Sequence, residues 1–304
     1  MADRFVYPLV GVGGFGFLEL LTKLPRLWKI KRQILDLLKT DAPDLVIPID
    51  YYGFNIHVAE AARDLSIPVI YYISPQVWAS RAGRVQRLAK AIRRMLVILP
   101  FEEELYAKAG IPVTYVGHPL VERLPNPATF ADQMRIGFLP GSRRGVIARH
   151  LPIVAGTADR LHAQFPKAEV FIFKPDEISS ASYSSVMAKR PWITLSVDSG
   201  YEIRKSLTLA IGVSGTAALE NMLLGIPMII MYRLSWATYA IARKLIRVPF
   251  VGMPNLLAGK ALVPELLQQD ATPQQLTEAA AALLNDGNRR SAMRSELLAL
   301  RAIS

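Results

Sequence analysis

A chain of 304 residues with 51% apolar content is long enough to bury a large core and to form two domains. It contains no cysteine, which excludes disulfides, thiolate metal ligands and cysteine nucleophiles. The net charge of +11 predicts an anionic partner, and because helix-turn-helix, zinc-finger and RNA-recognition patterns are absent, a membrane surface or a phosphorylated substrate is favoured over nucleic acid.

The N-terminal segment 5–21 is almost wholly apolar, yet it contains Pro8, several glycines and Glu19. These residues argue against a membrane-spanning helix, and no basic leader or cleavage site marks a signal peptide. Residues 11–16 match the dinucleotide pattern G-x-G-x-x-G, but Pro8 interrupts the strand that should precede it. The first acidic residue after a convincing strand, Asp50, comes too late for the usual ribose contact, so an NAD site is not favoured.

Residues 17–39 show apolar side chains at helical spacing, with basic side chains such as Lys29 and Arg32 between them. Pro25 predicts either a kink or the start of a second helix. The pattern fits a helix packed on a core, and it also fits an interfacial helix that touches anionic lipid.

After this helix the chain alternates predicted strands and helices, which is typical of parallel sheets covered by helices. The predicted strands are 45–49, 68–73, 95–99, 113–116, 135–140, 168–174, 192–197, 208–213 and 227–232. A proline-containing stretch, 122–134, reads as a linker between two such series. We therefore expect an α/β protein with two Rossmann-like parallel-sheet domains, 1–126 and 127–304, facing a cleft.

The turn Ser214-Gly215-Thr216 ends an apolar strand and opens a helix. Unpaired backbone N–H groups at a helix N-terminus attract anions, and small residues let a phosphate approach closely. Glu220 falls in the first turns of that helix, where its carboxylate could accept from ribose hydroxyls. The alternative is an ordinary Ser/Thr helix cap.

A second turn of this kind, Gly141-Ser142-Arg143, follows the predicted strand 135–140. Its arginine could bind a diphosphate through two hydrogen bonds. Two helix N-termini at the carboxyl ends of strands in one α/β unit fit one nucleotide diphosphate.

Several motifs together resemble the lipid-A-disaccharide synthase family, and the resemblance covers nearly the whole chain. They are Ser-Pro-Gln-Val-Trp-Ala-Ser-Arg at 74–81, Leu-Pro-Phe-Glu at 99–102, Val-Gly-His-Pro-Leu at 116–120, Leu-Pro-Gly-Ser-Arg at 139–143, the turn and helix at 214–220, and Pro-Asn-Leu-Leu-Ala-Gly at 254–259.

The resemblance implies a glycosyltransferase of the GT-B type that joins UDP-2,3-diacylglucosamine to 2,3-diacylglucosamine 1-phosphate. It implies no cofactor and no metal. It also implies a cytoplasmic, peripheral location on the inner face of the inner membrane, with anionic lipid as a partner. A homodimer is a further candidate assembly.

The same resemblance implies roles for individual residues. Asp50 is similar to the family's catalytic aspartate, and an inverting transfer needs a general base for the acceptor hydroxyl. Arg143 and Asn255 resemble donor-binding residues, and Glu220 resembles a ribose-binding glutamate. Ordinary alternatives exist, namely a helix cap at Asp50, a surface salt bridge at Arg143 and a turn-forming asparagine at 255.

The chain also departs from the family pattern. It lacks the Gly-Glu-x-Ser-Gly-Asp-like loop, Ser80 stands where tryptophan is common, and Val146 stands where a glutamate is usual. Two alternatives therefore remain open: a non-catalytic UDP-sugar-binding remnant at the membrane surface, and another UDP-GlcNAc-type transferase.

Overall fold

The computed structural model describes residues 17–76, 83–127, 132–197, 199–236, 238–239 and 248–304, with side chains described from residue 25 onward. The G-x-G-x-x-G match at 11–16 and most of the motif at 74–81 lie outside the described residues. The chain divides into two compact units, Met1–Val116 and Gly117–Ser304. The junction falls before the predicted boundary at 126/127.

The first unit contains a parallel sheet in the order β1-β2-β3. Its elements are α1 (Phe17–Thr40), α2 (Tyr52–Asp64), β1 (Ile70–Tyr72), α3 (Gly83–Ala91), β2 (Arg94–Val97), α4 (Pro100–Lys108) and β3 (Val113–Tyr115). The predicted strand 45–49 is reduced to parallel bridges from Val46 to Val69 and from Ile49 to Tyr72. It nevertheless adds an edge to the sheet beside β1.

The long helix α1 continues through Pro25 without a break. Its apolar side chains pack on the core of the first unit, where Ile30 and Leu38 are 3% and 6% exposed. Trp28, by contrast, is 67% exposed and carries Lys31 over its ring at 5.2 Å. In the part of α1 whose side chains are described, the apolar stripe therefore packs on the core, although its spacing also fitted a membrane-facing helix.

Within the part of the chain that the structure describes, no helix combines the length and the apolar character needed to cross a membrane.

The second unit is built on a six-stranded parallel sheet in the order β6-β5-β4-β7-β8-β9. Its strands are β4 (Arg135–Leu139), β5 (Glu169–Lys174), β6 (Ile193–Val197), β7 (Leu209–Val213), β8 (Met228–Tyr232) and β9 (Glu265–Leu267). Its helices are α5 (Leu120–Arg123), α6 (Arg144–Gln164), α7 (Ser184–Met187), α8 (Thr216–Leu223), α9 (Met253–Ala258), α10 (Pro273–Leu284) and α11 (Gly287–Ala302). Strand β9 was not predicted.

The central strands of this sheet are buried along almost their whole length, as expected for a parallel sheet covered on both faces. Every residue of β7 is buried, and so are four of the five residues of β4 and of β8. The predicted α/β fold with a parallel sheet in each of two domains is confirmed. The segment predicted as a linker begins inside α5, and its residues 128–131 lie outside the described ranges.

Candidate functional site

The two predicted phosphate-type turns lie side by side in the second unit. Strands β4 and β7 are hydrogen-bonded neighbours, with Leu139 paired to Gly212 at their carboxyl ends. Because parallel strands end at the same edge, the turns that follow them both open on that edge. Ligands of open α/β sheets bind at the carboxyl ends of the strands, so this edge is the candidate site.

The first turn requires glycine at position 141. Gly141 has a φ of 127°, and a Cβ there would lie 2.6 Å from Cγ1 of Val146. The Val146 side chain therefore lies against the turn itself. Ser142 and Arg143 are exposed, and Arg143 is the N-cap residue of α6 without a capping side-chain hydrogen bond. The unpaired backbone N–H groups at the start of the 21-residue helix α6 therefore lie next to an arginine side chain.

The second turn combines an anchored serine with an open glycine. The hydroxyl of Ser214 donates to the backbone carbonyl of Val251 at 2.8 Å, which ties the turn to the segment before α9. Gly215 has a φ of 132° and caps α8, and a Cβ at this position would meet no atom within 4 Å. Thr216, the first residue of α8, is exposed. The space in front of this helix N-terminus is open to an anion.

The carboxylate of Glu220, on α8, is held by two side chains from the segment before β7. Its Oε2 lies 2.8 Å from Nη1 of Arg204, and its Oε1 accepts from the Tyr201 hydroxyl at 2.9 Å. Arg204 is itself only 5% exposed and donates to Asn221 and to the carbonyl of Ala217. The carboxylate is fixed in place, and each of its oxygens can accept a further hydrogen bond.

Asn255 plays a structural part in its turn. The side chain is 1% exposed, its Nδ2 donates to the carbonyl of Val263 and to Glu265, and its Oδ1 accepts from the N–H of Val263. Both amide hydrogens are therefore used within the protein. This arrangement supports the turn-forming interpretation over a direct side-chain contact with a donor.

Basic side chains surround the same edge of the sheet. Arg233 follows β8 directly and is exposed, as are Arg144 and Arg149 of α6. Together with Arg143 they give the edge a positive charge suited to a diphosphate.

Asp50 lies in the first unit, where the edge segment 45–49 ends. Its backbone N–H donates to the carbonyl of Tyr72, and its own carbonyl accepts from Asn55 and from the Tyr71 hydroxyl. Burial, and after it the charge of Asp50, raise the pKa of the Tyr71 phenol above its ordinary value. The phenol therefore stays protonated as a donor.

The backbone at Asp50 is left-handed, with φ 46°, and Tyr51 follows at φ 43°. Such conformations cost energy for residues other than glycine, although Asp tolerates them better than most. The Asp50 side chain is exposed. Five other described residues besides Asp50 and Tyr51 share a positive φ, so this conformation does not by itself mark a catalytic residue, and the role of Asp50 stays a prediction.

Sequence reasoning missed the residues that hold this site together. Tyr201 and Arg204 fix Glu220, and Glu265 fixes the 251–255 turn. No local pattern marks them, because each contacts a partner at least ten residues away in the chain. Within the described ranges, no three His, Asp or Glu side chains are grouped so as to hold a metal ion.

Comparison with known sequences gives a consistent match. The family model described as lipid-A-disaccharide synthetase matches residues 5–301. The lipid-A-disaccharide synthase of Geobacter metallireducens is 36% identical over 282 residues, covering 89% of this chain and 73% of the relative. The enzyme of the same name from Alkalilimnicola ehrlichii is 35% identical, covering 98% of this chain and 82% of the relative.

Solved structures of low sequence identity share the fold. A UDP-GlcNAc 2-epimerase from Neisseria meningitidis, bound to UDP-GlcNAc, has a TM-score of 0.60 at 14% identity, covering 91% of this chain and 80% of that one. The spinosyn rhamnosyltransferase SpnG, complexed with thymidine diphosphate, has a TM-score of 0.57 at 17% identity, covering 91% and 74%. These likenesses show the two-domain α/β fold of GT-B glycosyltransferases and related epimerases.

Proposed function

The chain belongs to the lipid-A-disaccharide synthetase family, and we propose that it joins UDP-2,3-diacylglucosamine to 2,3-diacylglucosamine 1-phosphate. It is a glycosyltransferase of lipid A biosynthesis. The products of the proposed reaction are the β-1,6-linked disaccharide 1-phosphate and UDP. The observation that carries the donor half of the proposal is the adjacency of the turns after β4 and β7.

In the proposed donor complex, the diphosphate of the UDP-sugar lies between these two turns. The backbone N–H groups that open α6 and α8 point at its oxygens, and the Arg143 guanidinium neutralises part of its charge. Glu220 accepts hydrogen bonds from the ribose hydroxyls. The diphosphate is enclosed by the residues of the two turns, namely Gly141, Ser142, Ser214, Gly215 and Thr216. Negative charge accumulates on the leaving diphosphate in the transition state, so these donors lower the barrier.

Asp50 is the proposed general base. Its carboxylate takes the proton of the acceptor's 6-hydroxyl as that oxygen attacks the anomeric carbon of the donor. The bond from the anomeric carbon to the diphosphate oxygen breaks, and its electron pair leaves with UDP. Attack from the face opposite the leaving group inverts the configuration and produces a β-linkage.

The two units have separate proposed roles. The second unit binds the UDP-sugar donor, since all of the proposed diphosphate contacts lie after residue 134. The first unit supplies Asp50 and faces the acceptor, and α1 rests on an anionic membrane surface through Trp28 and its exposed basic side chains.

The test is direct turnover by the purified full chain. Incubation with both monosaccharide lipids is expected to yield the disaccharide 1-phosphate and stoichiometric UDP, measured by mass spectrometry. UDP binding without disaccharide would favour the non-catalytic remnant. Consumption of unacylated UDP-GlcNAc in preference to the acylated donor would favour another UDP-GlcNAc-type transferase.

A further inference from the structure

We propose that Glu265 is a positioning residue for the donor site, acting through Val251 on Ser214. The proposal rests on the donor site proposed above, and it concerns a side chain that does not belong to either phosphate-type turn. Glu265 is the first residue of β9, and it is partly buried beneath the segment that enters α9.

Both carboxylate oxygens of Glu265 accept hydrogen bonds from this segment. Oε2 accepts from the backbone N–H of Val251 at 2.9 Å. Oε1 accepts from the backbone N–H of Gly252 at 2.9 Å and from Nδ2 of Asn255 at 2.8 Å. Hydrogen bonds to a carboxylate are about twice as strong as neutral ones, so this one side chain holds three donors of the segment, two backbone N–H groups and one side-chain amide.

The segment that Glu265 holds is the one that anchors the second phosphate-type turn. The Val251 carbonyl accepts from the hydroxyl of Ser214 at 2.8 Å, while the N–H of the same residue donates to Glu265. A displacement of Val251 would therefore move the partner of Ser214 directly. The path from Glu265 to the turn contains only these two hydrogen bonds and one residue.

The fit around Gly252 supports the same conclusion. A Cβ at Gly252 would overlap the Cδ1 atom of Ile230 and would lie 3.0 Å from Oε1 of Glu265. The backbone at Gly252 thus lies in close contact with the Ile230 side chain of β8 and with the Glu265 carboxylate, and a larger residue here would displace one of them. This precision is what a residue that positions an anion-binding turn requires.

Glu265 is expected to affect donor binding more than the chemical step, because it contacts the anchor of the turn and not the reacting atoms. Glu265→Gln keeps the side-chain volume but can offer only one acceptor oxygen. If that oxygen faces Gly252 and Asn255, its NH2 group faces the N–H of Val251, and the hydrogen bond to Val251 is lost.

The experiment compares the full-length wild type with Glu265→Gln. We expect UDP affinity, measured by titration calorimetry, to fall by about 10-fold, and the KM for the UDP-sugar to rise by about the same factor. The kcat at saturating donor should stay within about 2-fold of wild type. Glu278→Gln, the same substitution at an exposed glutamate of α10, is the matched control and should change none of these values.

A double-mutant cycle separates this role from a general loss of stability. Ser214→Ala and Glu265→Gln should be non-additive in UDP affinity, because both act through Val251. Additive effects, or an unchanged Kd in Glu265→Gln, would overturn the proposal. Glu265→Asp, which keeps the charge, should recover part of the affinity.

Failure of both Glu265 variants to fold would also overturn the proposal. The carboxylate would then be required for the stability of the whole second unit, and not specifically for the position of the Ser214 turn. These outcomes are independent of the proposed reaction. UDP affinity reports on positioning even if no disaccharide forms, and absence of product with an intact Glu265 effect would contradict the reaction alone.

Discussion

The backbone N–H of Arg233 donates a hydrogen bond to Nε2 of His150 over 2.9 Å. On the other side of the ring, Nδ1 lies 2.8 Å from the carbonyl oxygen of Val146, which can only accept. The buried ring is therefore neutral with its proton on Nδ1, and it joins α6 to the residue that follows β8. Protonation of Nε2 would set two N–H donors against each other.

This arrangement predicts that the folded state loses stability in mild acid. Burial first, and then the charges of Arg149 and Arg233, hold the pKa of His150 below the ordinary 6.5. Below about pH 6.5, His150 of the unfolded chain binds a proton, whereas the same residue in the folded chain stays neutral. The free energy of unfolding therefore falls as the pH is lowered, by up to about 1.4 kcal/mol per pH unit from this group. Urea unfolding between pH 5 and pH 8 measures the slope.

His150→Gln is expected to reduce that slope, because the titrating group is gone. His57→Gln provides the comparison. The His57 side chain is 40% exposed, and its pKa is also lowered, by partial burial and then by Lys31 and Arg87. We expect its effect on the slope to be smaller. A His150→Gln variant with the wild-type slope would show that the ring tolerates a second proton.

Arg143→Ala should weaken UDP binding by about 1.5–3 kcal/mol, the scale of a charge-assisted hydrogen bond. Titration calorimetry with the full chain measures it. Arg160→Ala is the control, because Arg160 is an exposed arginine near the far end of the same helix. Equal affinities in wild type and Arg143→Ala would remove Arg143 from the donor site.

Asp50→Asn should separate binding from catalysis. The amide keeps the shape of the side chain but cannot take the acceptor's proton, so turnover is expected to fall by roughly 10²- to 10⁴-fold. UDP affinity should stay near the wild-type value, since the proposed diphosphate contacts are in the second unit. Asp44→Asn, at the opposite end of the same edge segment, should leave turnover unchanged. An Asp50→Asn variant that keeps most of its rate would place the base elsewhere.

Membrane association is predicted to depend on the exposed basic side chains of α1. Each basic residue near an anionic leaflet contributes about 1 kcal/mol, so converting Arg26, Lys29 and Arg32 to Gln should greatly reduce binding to anionic vesicles at low salt. Co-sedimentation with liposomes measures this.

The matched control converts three exposed basic residues of the second unit, Lys167, Lys189 and Arg289, to Gln. It removes the same net charge and should retain most of the binding. Equal binding of the wild type to neutral vesicles, or none to either kind, would mean that α1 serves only as a core helix.

The sequence by itself determined the elements and the edge on which they act. The alternation of apolar strands with amphipathic helices requires parallel sheets, and the turns at Gly141 and Ser214 follow strands of the same sheet. These features depend on local periodicity and on turn chemistry, which a single sequence displays. The short strand β9 escaped prediction because it begins with Glu265 and contains only two apolar residues, so no apolar run marks it.

Only the tertiary structure decided what the polar side chains do. Asn255, predicted to bind the donor, instead uses its side-chain amide in hydrogen bonds to Val263 and Glu265. From residue 25 onward, where side chains are described, the apolar stripe of α1 that fitted both a core and a membrane packs on the first unit's core. Hydrogen-bond partners such as His150 and Arg233 lie 83 residues apart in the chain, so the packing of whole elements, and no local pattern, brings them together.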